Sequence, residues 1–382
     1  MVLTRRAHRE RMEIFRWLPN EILVGIIQHS PKADQATLSR VSKLFRDLCL
    51  PVLYRAVKIS SDSVILASIA VISFCSGMIE TPARADAVRS FYLRVPYDYS
   101  NIEIRCGLIL PTLKLMSRLN HLSIFGSALN NRHWNMLLEE CNFPQLINCD
   151  LRVPYDLIYY NPTRVSNLVA GFLNRHSTLK RVHLPSYRII APQPVRVSLP
   201  DLEFYHGGAA FIAGIDAICL KEVQLAWNYT DDDNVDEIIT SLSSMTKPYL
   251  PFISCHANLG RLCHQIMDSV SMRMPHTKTL RLHPLKNYGA LLGQDTIRHV
   301  TECLPRFTGL LYLAMEWCRD VLLTSGANKD EDRIAVEGWG EACPTLEACC
   351  LNHYGWRKVA GRWEEYPITQ FWALAGLSDL GY

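Results

Sequence analysis

The first part of the chain has hydrophobic residues every three or four positions, as on one face of an α-helix. The positions are Leu18, Ile22, Leu23, Ile26 and Ile27, followed by Leu38, Val41, Phe45 and Leu48. Pro19 stands where a helix tolerates a missing N–H, and Asp34 is placed to cap a second helix. Pro51 is expected to end the pattern before a short extended run through Ile59. Residues 14–58 are therefore predicted to form a compact unit of short helices.

A different spacing, apolar-x-x-apolar-x-apolar, recurs ten times farther along the chain. It is typical of a packed turn followed by a strand whose alternate side chains point inward. The copies begin at Val88, Leu119, Leu146, Leu179, Leu199, Leu220, Leu250, Thr277, Leu310 and Leu346. Their mean period is about 29 residues, and helix-like segments separate most of them. Residues 87–382 are therefore predicted to form an array of parallel strands with helices outside.

The segment between the two patterns, residues 59–86, is predicted to be a helical linker. It contains an almost wholly apolar run from Val64 to Ile79, which raises the alternative of a membrane span. The run has 16 residues, whereas a bilayer needs about 20, and Asp62 and Glu80 flank it. A buried helix is the favoured interpretation, and no membrane partner is expected.

The composition of the chain argues against a nucleic-acid-binding protein and for a protein of a reducing compartment. The chain is 48% hydrophobic and 20% charged, as globular proteins are, and a net charge of +3 is too mild for a dedicated nucleic-acid binder. The 13 cysteines show no disulfide-framework spacing, which favours reduced thiols in the cytoplasm and/or nucleus. No apolar signal-peptide region follows the arginines of the N-terminus. Residues 1–13 are interpreted as a basic solvated tail, with a nuclear signal as the alternative.

The helical unit also matches a known pattern in its polar positions. Leu18-Pro19-x-Glu21-Ile22-Leu23-x-x-Ile26-Ile27 resembles the opening of an F-box, and Leu38-Ser39-x-Val41-Ser42-Lys43-x-Phe45-Arg46-x-Leu48 with Leu53-Tyr54-Arg55 resembles its continuation. Phe45 stands where the family often has Trp. The strand copies resemble the irregular leucine-rich repeats of fungal F-box proteins. This resemblance implies an α/β fold: a three-helix F-box over residues 14–58, then a curved leucine-rich-repeat-like solenoid.

What the resemblance implies about function is a non-catalytic receptor subunit of a Skp–cullin–F-box ubiquitin ligase. The F-box would dock on a Skp-type adaptor, and through it a cullin, while the array would bind a protein substrate. Independently, about 40 residues in short helices make too small a core to bury all their apolar side chains, so the surplus should face a partner. The adaptor-binding residues predicted are Leu18, Pro19, Ile22, Leu23, Ile26, Leu38, Val41, Phe45 and Leu53.

Two alternatives to docking remain. The helical unit would be an internal cap of the array if its apolar faces pointed inward. A leucine-rich-repeat scaffold that binds a partner without any ligase would carry the same repeats.

The target is expected on the strand face opposite the core, which is the concave side of such an array. The residues predicted for it are Arg94, Arg152, His183, Tyr205, His256, Arg281 and His283. Their partly basic character would suit an acidic or phosphorylated peptide, and a solvated face without ligand is the alternative. The aromatic segment Trp356–Trp372 is predicted to cap the last repeat rather than to grip the target.

No pattern of catalytic chemistry stands out. Cys255-His256 and Cys263-His264 have the residue types of zinc ligands but not a standard spacing. Asp231–Asp233 lacks the glycine and glutamate of a calcium loop. Catalytic residues, metals and cofactors are therefore expected to be absent. An enzyme with an unrecognised Cys/His site is the remaining alternative.

Overall fold

The computed structural model describes residues 18–95, 102–125, 128–154, 157–158, 162–185, 196–228, 234–257, 259, 262–283, 292–315, 329–352 and 354–377. The chain divides into two compact units, residues 1–146 and 147–382. The predicted N-terminal tail, residues 1–13, lies outside the described residues. The unit boundary falls inside residues 87–382, the region predicted as a single array, because the strands Ser90–Arg94 and His121–Phe125 belong to the N-terminal unit.

The N-terminal unit begins with three helices, α1 (Asn20–His29), α2 (Lys32–Leu38) and α3 (Lys43–Leu53). The three helices that the F-box resemblance implies are present. The hydrophobic spacing from Asp34 onward predicted one continuous helix, whereas a turn separates α2 from α3. Asp34 lies in the first turn of α2 rather than capping it, and Pro51 lies within the last turns of α3 instead of ending the pattern. Pro51 has no N–H to donate, and the helix ends two residues later at Leu53.

Strands and helices then alternate: β1 (Ala56–Ser60), α4 (Val64–Glu80), α5 (Pro82–Asp86), β2 (Ser90–Arg94), α6 (Ile102–Lys114), β3 (His121–Phe125) and α7 (Asn131–Glu140). β1, β2 and β3 are parallel neighbours. Phe91 on β2 is aligned with Leu122 on β3, and both are buried. These inward positions are the ones that the apolar-x-x-apolar-x-apolar spacing predicts.

Helix α4 is only half buried, which corrects the expectation of a buried helix. Ala67, Val71 and Cys75 recur one turn apart and are buried. On the other side Ile65 and Leu66 are 71% and 63% exposed. In the part of the chain that the structure describes, no helix combines the length and the apolar character needed to span a membrane.

The C-terminal unit is the larger. Its elements are β4 (Asn148–Arg152), α8 (Pro162–Asn174), β5 (Arg181–His183), β6 (Val197–Ser198), β7 (Phe204–Gly208), α9 (Ala209–Ile212), β8 (Ile215–Asp216), β9 (Glu222–Ala226), α10 (Val235–Met245), β10 (Phe252–Ala257), α11 (Cys263–Arg273), β11 (Thr277–His283), α12 (Gln294–Cys303), a 3₁₀ turn (Leu304–Arg306), β12 (Tyr312–Met315), α13 (Lys329–Ala342), β13 (Ala348–Leu351), β14 (Tyr354–Val359), β15 (Arg362–Tyr366) and α14 (Ile368–Leu374).

One sheet organises this unit. Strands β4, β5, β7 and β9 to β13 lie side by side in chain order and are parallel. β14 and β15 then extend the sheet as an antiparallel hairpin, while β6 and β8 form a separate pair. Parallel neighbours require a crossover between them, and α10, α11, α12 and α13 supply it. The fold is therefore mixed α/β, with N-terminal helices followed by a sheet-rich region.

One row of aligned side chains shows where the core lies. It runs through Cys149, Val182, Tyr205, Val223, Ser254, Leu280, Leu313 and Cys349, all of which are buried. The predicted inward positions are confirmed for eight of the ten copies. The exceptions are the copies beginning at Leu199 and Leu250, where the strand alternation is shifted by one residue.

On β7 the shift places Tyr205 inside, although the sequence assigned it to the outer face. Tyr205 is 0% exposed and its hydroxyl donates a hydrogen bond to the Gly208 carbonyl at 3.1 Å. Gly207 leaves the space for this ring, since a Cβ there would lie 2.4 Å from the tyrosine oxygen. A side chain larger than hydrogen at residue 207 is therefore incompatible with the inward Tyr205.

On β10 the shift brings two polar side chains, Ser254 and His256, into the core. The Trp227 indole N–H donates to His256 Nδ1 at 3.1 Å. The other ring nitrogen, Nε2, therefore carries the proton and lies 2.8 Å from the Ser254 hydroxyl. Both polar groups are thereby satisfied, which is what permits their burial. Burial lowers the pKa of His256 to about 3, so the ring is neutral.

This neutral histidine predicts acid sensitivity. The pKa of His256 lies below its ordinary value in the folded chain, so the unfolded chain binds the extra proton first. The stabilisation is fully present above pH ~6.5 and is lost as the pH falls towards ~3, by up to about 1.4 kcal/mol per pH unit. Urea unfolding measured across this pH range should show the free energy of unfolding decreasing as the pH falls. In a His256→Gln variant this decrease per pH unit should be smaller. Equal decreases for the two proteins would contradict the prediction.

Candidate interaction surfaces

The N-terminal helices expose an unusual number of apolar side chains. Ile22 and Ile26, one turn apart on α1, are 50% and 54% exposed. Val41, in the turn before α3, is 65% exposed, and Leu44 in the first turn of α3 is 47% exposed. Exposed apolar side chains grouped on so small a helical unit are typical of a surface that a partner covers. We call these four residues the apolar docking surface.

Two hydrogen-bonded contacts position this surface. The Gln35 side-chain amide donates to the carbonyls of Ile27 and Ser30 at 2.9 and 2.8 Å, which fixes the end of α1 against α2. The Ser42 hydroxyl accepts from the Phe45 backbone N–H at 3.2 Å and caps α3. Because α3 starts immediately after Ser42, Val41 is left in the turn and is directed to solvent rather than into a helix–helix contact.

The predicted adaptor-binding residues include exposed, partly buried and buried side chains. Pro19, Ile22, Ile26 and Val41 are exposed, and four others are partly buried, namely Leu18, Leu38, Phe45 and Leu53. Leu23 is 4% exposed and lies in the small core with Ile27 and Cys49, so it supports the surface from inside. Leu44 was not predicted because the spacing was continued from Val41 to Phe45, although Leu44 also lies four residues before Leu48. Its separation of three residues from Val41 is the pattern that would have identified it.

The outer face of the C-terminal sheet carries a polar row. Its members are aligned across neighbouring strands: Asp150, His183, His206, Gln224, Cys255 and Arg281. The Asp150 carboxylate lies 3.0 Å from His183 Nδ1 and 3.5 Å from Arg152 Nε. The rings of His183 and His206 are 4.2 Å apart. Burial, aided by His183 and Arg152, lowers the pKa of His206 to about 3, so this end of the row is close to neutral.

The other end of the row is covered by the chain itself. Helix α14 lies over β10 to β13, with Phe371 packed among Cys255, Ala314 and Cys350. The Trp372 ring lies 5.0 Å from the Arg281 guanidinium, which is 6% exposed, and the Thr279 hydroxyl donates to the Ala375 carbonyl at 3.0 Å. Sequence reasoning placed the C-terminal aromatic residues at the end of the array, not across this face.

Of the predicted target-binding residues, Arg152 and His183 lie on the open part of the row, and His283 is half-buried at the end of β11. The assignments of Tyr205 and His256 to this face are wrong, since both point into the core. Arg281 is on the predicted face but beneath Trp372. Among the described residues of the C-terminal unit, these side chains therefore do not form an open basic strip.

Arg94 belongs to the N-terminal unit. Its side chain is exposed, and its guanidinium lies 5.5 Å from the Phe125 ring. The cation is thus held over an aromatic face at the end of β2 and remains accessible to solvent.

The Cys/His pairs singled out in the sequence do not come together. Cys255 is on the outer sheet face, whereas Cys263 is buried on α11, where burial raises the pKa of its thiol to about 12. A different set does converge: Asp268, His299 and Cys303 place their ligand atoms within 4.8 Å of one another. In the sequence, His299 and Cys303 stand at i, i+4 spacing on one helix, and Asp268 comes from the preceding helix.

Comparison with known families agrees with the N-terminal geometry. A family model described as F-box-like matches residues 15–60. A search of curated proteins finds no match to the chain. Residues 15–60 are therefore an F-box-like domain, close to the predicted bounds of 14–58, and the apolar docking surface lies inside it. F-box domains generally bind Skp-type adaptors.

Proposed function

We propose that the chain is the substrate-recognition subunit of a Skp–cullin–F-box ubiquitin ligase. The observation that carries the proposal is the position of the apolar docking surface within the F-box-like domain. Its four side chains are exposed in the free chain, and a Skp-type adaptor is the partner that an F-box uses to cover such a surface. Through the adaptor the chain joins a cullin, and other subunits transfer ubiquitin. The chain itself is a non-catalytic receptor.

The rest of the chain is proposed to hold a protein substrate as a leucine-rich-repeat-like solenoid of the type found behind fungal F-boxes. The support is the succession of eight parallel strands in chain order in the C-terminal unit, with helices between them. The open part of the polar row, around Asp150, Arg152 and His183, offers a mixed charge rather than a basic one. A target with paired acidic and basic groups suits it better than a purely acidic peptide.

The proposed place of action is the cytoplasm or nucleus. The cysteines that the structure describes are not joined in disulfides, which fits a reducing compartment.

A non-ligase scaffold is the second candidate, and one observation favours it. Ile65, Leu66 and Ile69 on α4 are 71%, 63% and 59% exposed and lie beyond the residues that the F-box-like family covers. A scaffold would use such a helix face for a partner unrelated to a ligase.

Adaptor capture separates the two candidates. The full chain should retain a purified Skp-type adaptor, and a Leu18→Ala/Pro19→Ala variant should bind it about 30-fold more weakly, as expected for loss of an interface anchor. Leu66→Ala is the matched control, because it removes an exposed apolar side chain outside the F-box-like domain. If the wild-type chain captures no adaptor, the scaffold becomes the better description.

A further inference from the structure

Two neighbouring helices of the C-terminal unit, α11 and α12, bring three different ligand types to one point. Nε2 of His299 lies 3.1 Å from Oδ2 of Asp268 and 3.7 Å from Sγ of Cys303. Sγ of Cys303 lies 3.4 Å from Oδ1 of Asp268. Cys303 is buried, while the other two side chains are partly exposed. In the ion-free chain these are ion-pair and hydrogen-bond contacts, and His299 Nε2 also lies 3.3 Å from the His264 carbonyl oxygen.

These separations can be compared with those around a bound ion. Zinc binds nitrogen and oxygen at about 2.0–2.2 Å and sulfur at about 2.3 Å, so neighbouring ligands of a tetrahedral site are separated by about 3.3–3.6 Å. The three observed separations span 3.1–3.7 Å. The two distances to Asp268 are measured to different carboxylate oxygens, Oδ2 for His299 and Oδ1 for Cys303, and with one oxygen taken from Asp268 the three donor atoms lie within 4.8 Å of one another. Rotation of the Asp268 carboxylate and of its neighbours would bring the three atoms to the separations of one face of a zinc tetrahedron.

We propose that Asp268, His299 and Cys303 form a zinc-binding site that links α11 to α12. A thiolate, an imidazole and a carboxylate together select zinc over magnesium or calcium, which prefer oxygen ligands alone. His264 is one candidate for the fourth position: it lies one turn before Asp268, and its ring centroid is 4.5 Å from that of His299. Water is the other candidate for that position.

Arg306 takes the place of the cation in the ion-free arrangement. Its guanidinium nitrogen lies 3.1 Å from Asp268 Oδ1, 3.3 Å from the Ser271 hydroxyl and 4.0 Å from Cys303 Sγ. The side chain is 44% exposed and follows α12 in the 3₁₀ turn, so it can turn towards solvent. Zinc and Arg306 therefore compete for the same carboxylate. Removing the arginine is expected to strengthen zinc binding, an effect that a purely structural ion pair would not produce.

The test is zinc binding by the full chain, stripped of metal and titrated in competition with a chromophoric chelator. One equivalent should bind, and cobalt(II) at the same site should show sulfur-to-metal charge-transfer absorption. Cys303→Ser should abolish that absorption. Cys303→Ser and Asp268→Asn should each weaken zinc binding by more than the about 10- to 100-fold typical of losing a second-shell partner.

Two further variants keep the test decisive. Arg306→Gln should tighten zinc binding about fivefold, and it can be measured even if Cys303→Ser fails to fold. Cys219→Ser is the matched control, because Cys219 is a partly exposed free thiol outside the cluster. The proposal is overturned if the full chain binds no stoichiometric zinc, if Cys303→Ser and Cys219→Ser lose zinc alike, or if Arg306→Gln leaves the affinity unchanged. Each of these results is independent of adaptor binding.

Discussion

Changing Ile22 and Val41 together to glutamate is expected to weaken adaptor binding by about a thousandfold. Each side chain is at least half exposed in the free chain, so each new carboxylate stays in water there. On docking, the same carboxylates would be buried without a partner, and two lost anchors of about 2 kcal/mol each correspond to that factor. Isothermal titration calorimetry with a purified Skp-type adaptor measures it. Circular dichroism melting should show an unchanged fold.

Ile334→Glu provides the matched control for this variant. Ile334 is 69% exposed on α13 of the C-terminal unit, so the control introduces the same charge at an exposed apolar position outside the F-box-like domain. Its affinity for the adaptor should equal that of the wild-type chain. If the double variant also binds like wild type, the apolar docking surface is not the adaptor-binding surface.

Phe371→Ala should destabilise the C-terminal unit by about 3–5 kcal/mol, the usual effect of truncating a buried aromatic side chain. Phe371 is 0% exposed and fills the space between α14 and the outer sheet face, where Cys255, Ala314 and Cys350 lie. An alanine would leave a cavity and loosen the helix that covers Arg281. Urea unfolding gives the change in free energy. Hydrogen exchange of β11 and β12 should show whether the loss is local to this face.

Leu374→Ala serves as the comparison on the same helix. Leu374 is 37% exposed, so its truncation should reduce the free energy of unfolding by less than about 1.5 kcal/mol. Similar small losses for both variants would mean that α14 contributes little to the stability of the sheet.

The N-terminal helices were largely predictable from the sequence. The one error was the prediction of a continuous helix where α2 and α3 are separate, and its cause can be identified. Leu38, Val41 and Phe45 follow one another at helical spacing, although a turn interrupts the helix between them. The spacing of hydrophobic residues cannot distinguish one continuous helix from two helices when the same three-four spacing continues across the turn between them. Ser42 offered a second criterion, because serine is a favoured N-cap, and it does cap α3.

The two shifted strands show where alternation fails as a predictor. On β7 both Phe204 and Tyr205 are apolar, so either one satisfies an inward position. On β10 the inward residues are Ser254 and His256, which the pattern assigns to the outside. They can be buried because the indole N–H of Trp227, 29 residues before His256 in the chain, donates a hydrogen bond to the imidazole ring. A partner that distant along the chain is invisible to a local pattern.

The sequence partly indicated that the outer face of the C-terminal sheet is covered. Ala314 and Cys350 occupy positions expected to face solvent, yet both are apolar and both are buried under α14. Apolar residues at outward positions of successive strands predict a covering element. The identity of that element depends on how the chain folds back after β15, which no local pattern specifies.

The antiparallel hairpin of β14 and β15 limits how this protein can be lengthened. A further parallel unit would have to pair with β13, but β14 already occupies that edge in the opposite direction. The next edge, β15, exposes Arg362, Glu364 and Glu365, charged side chains that discourage strand addition. An additional parallel strand could therefore be accommodated between the existing parallel strands but not next to β14.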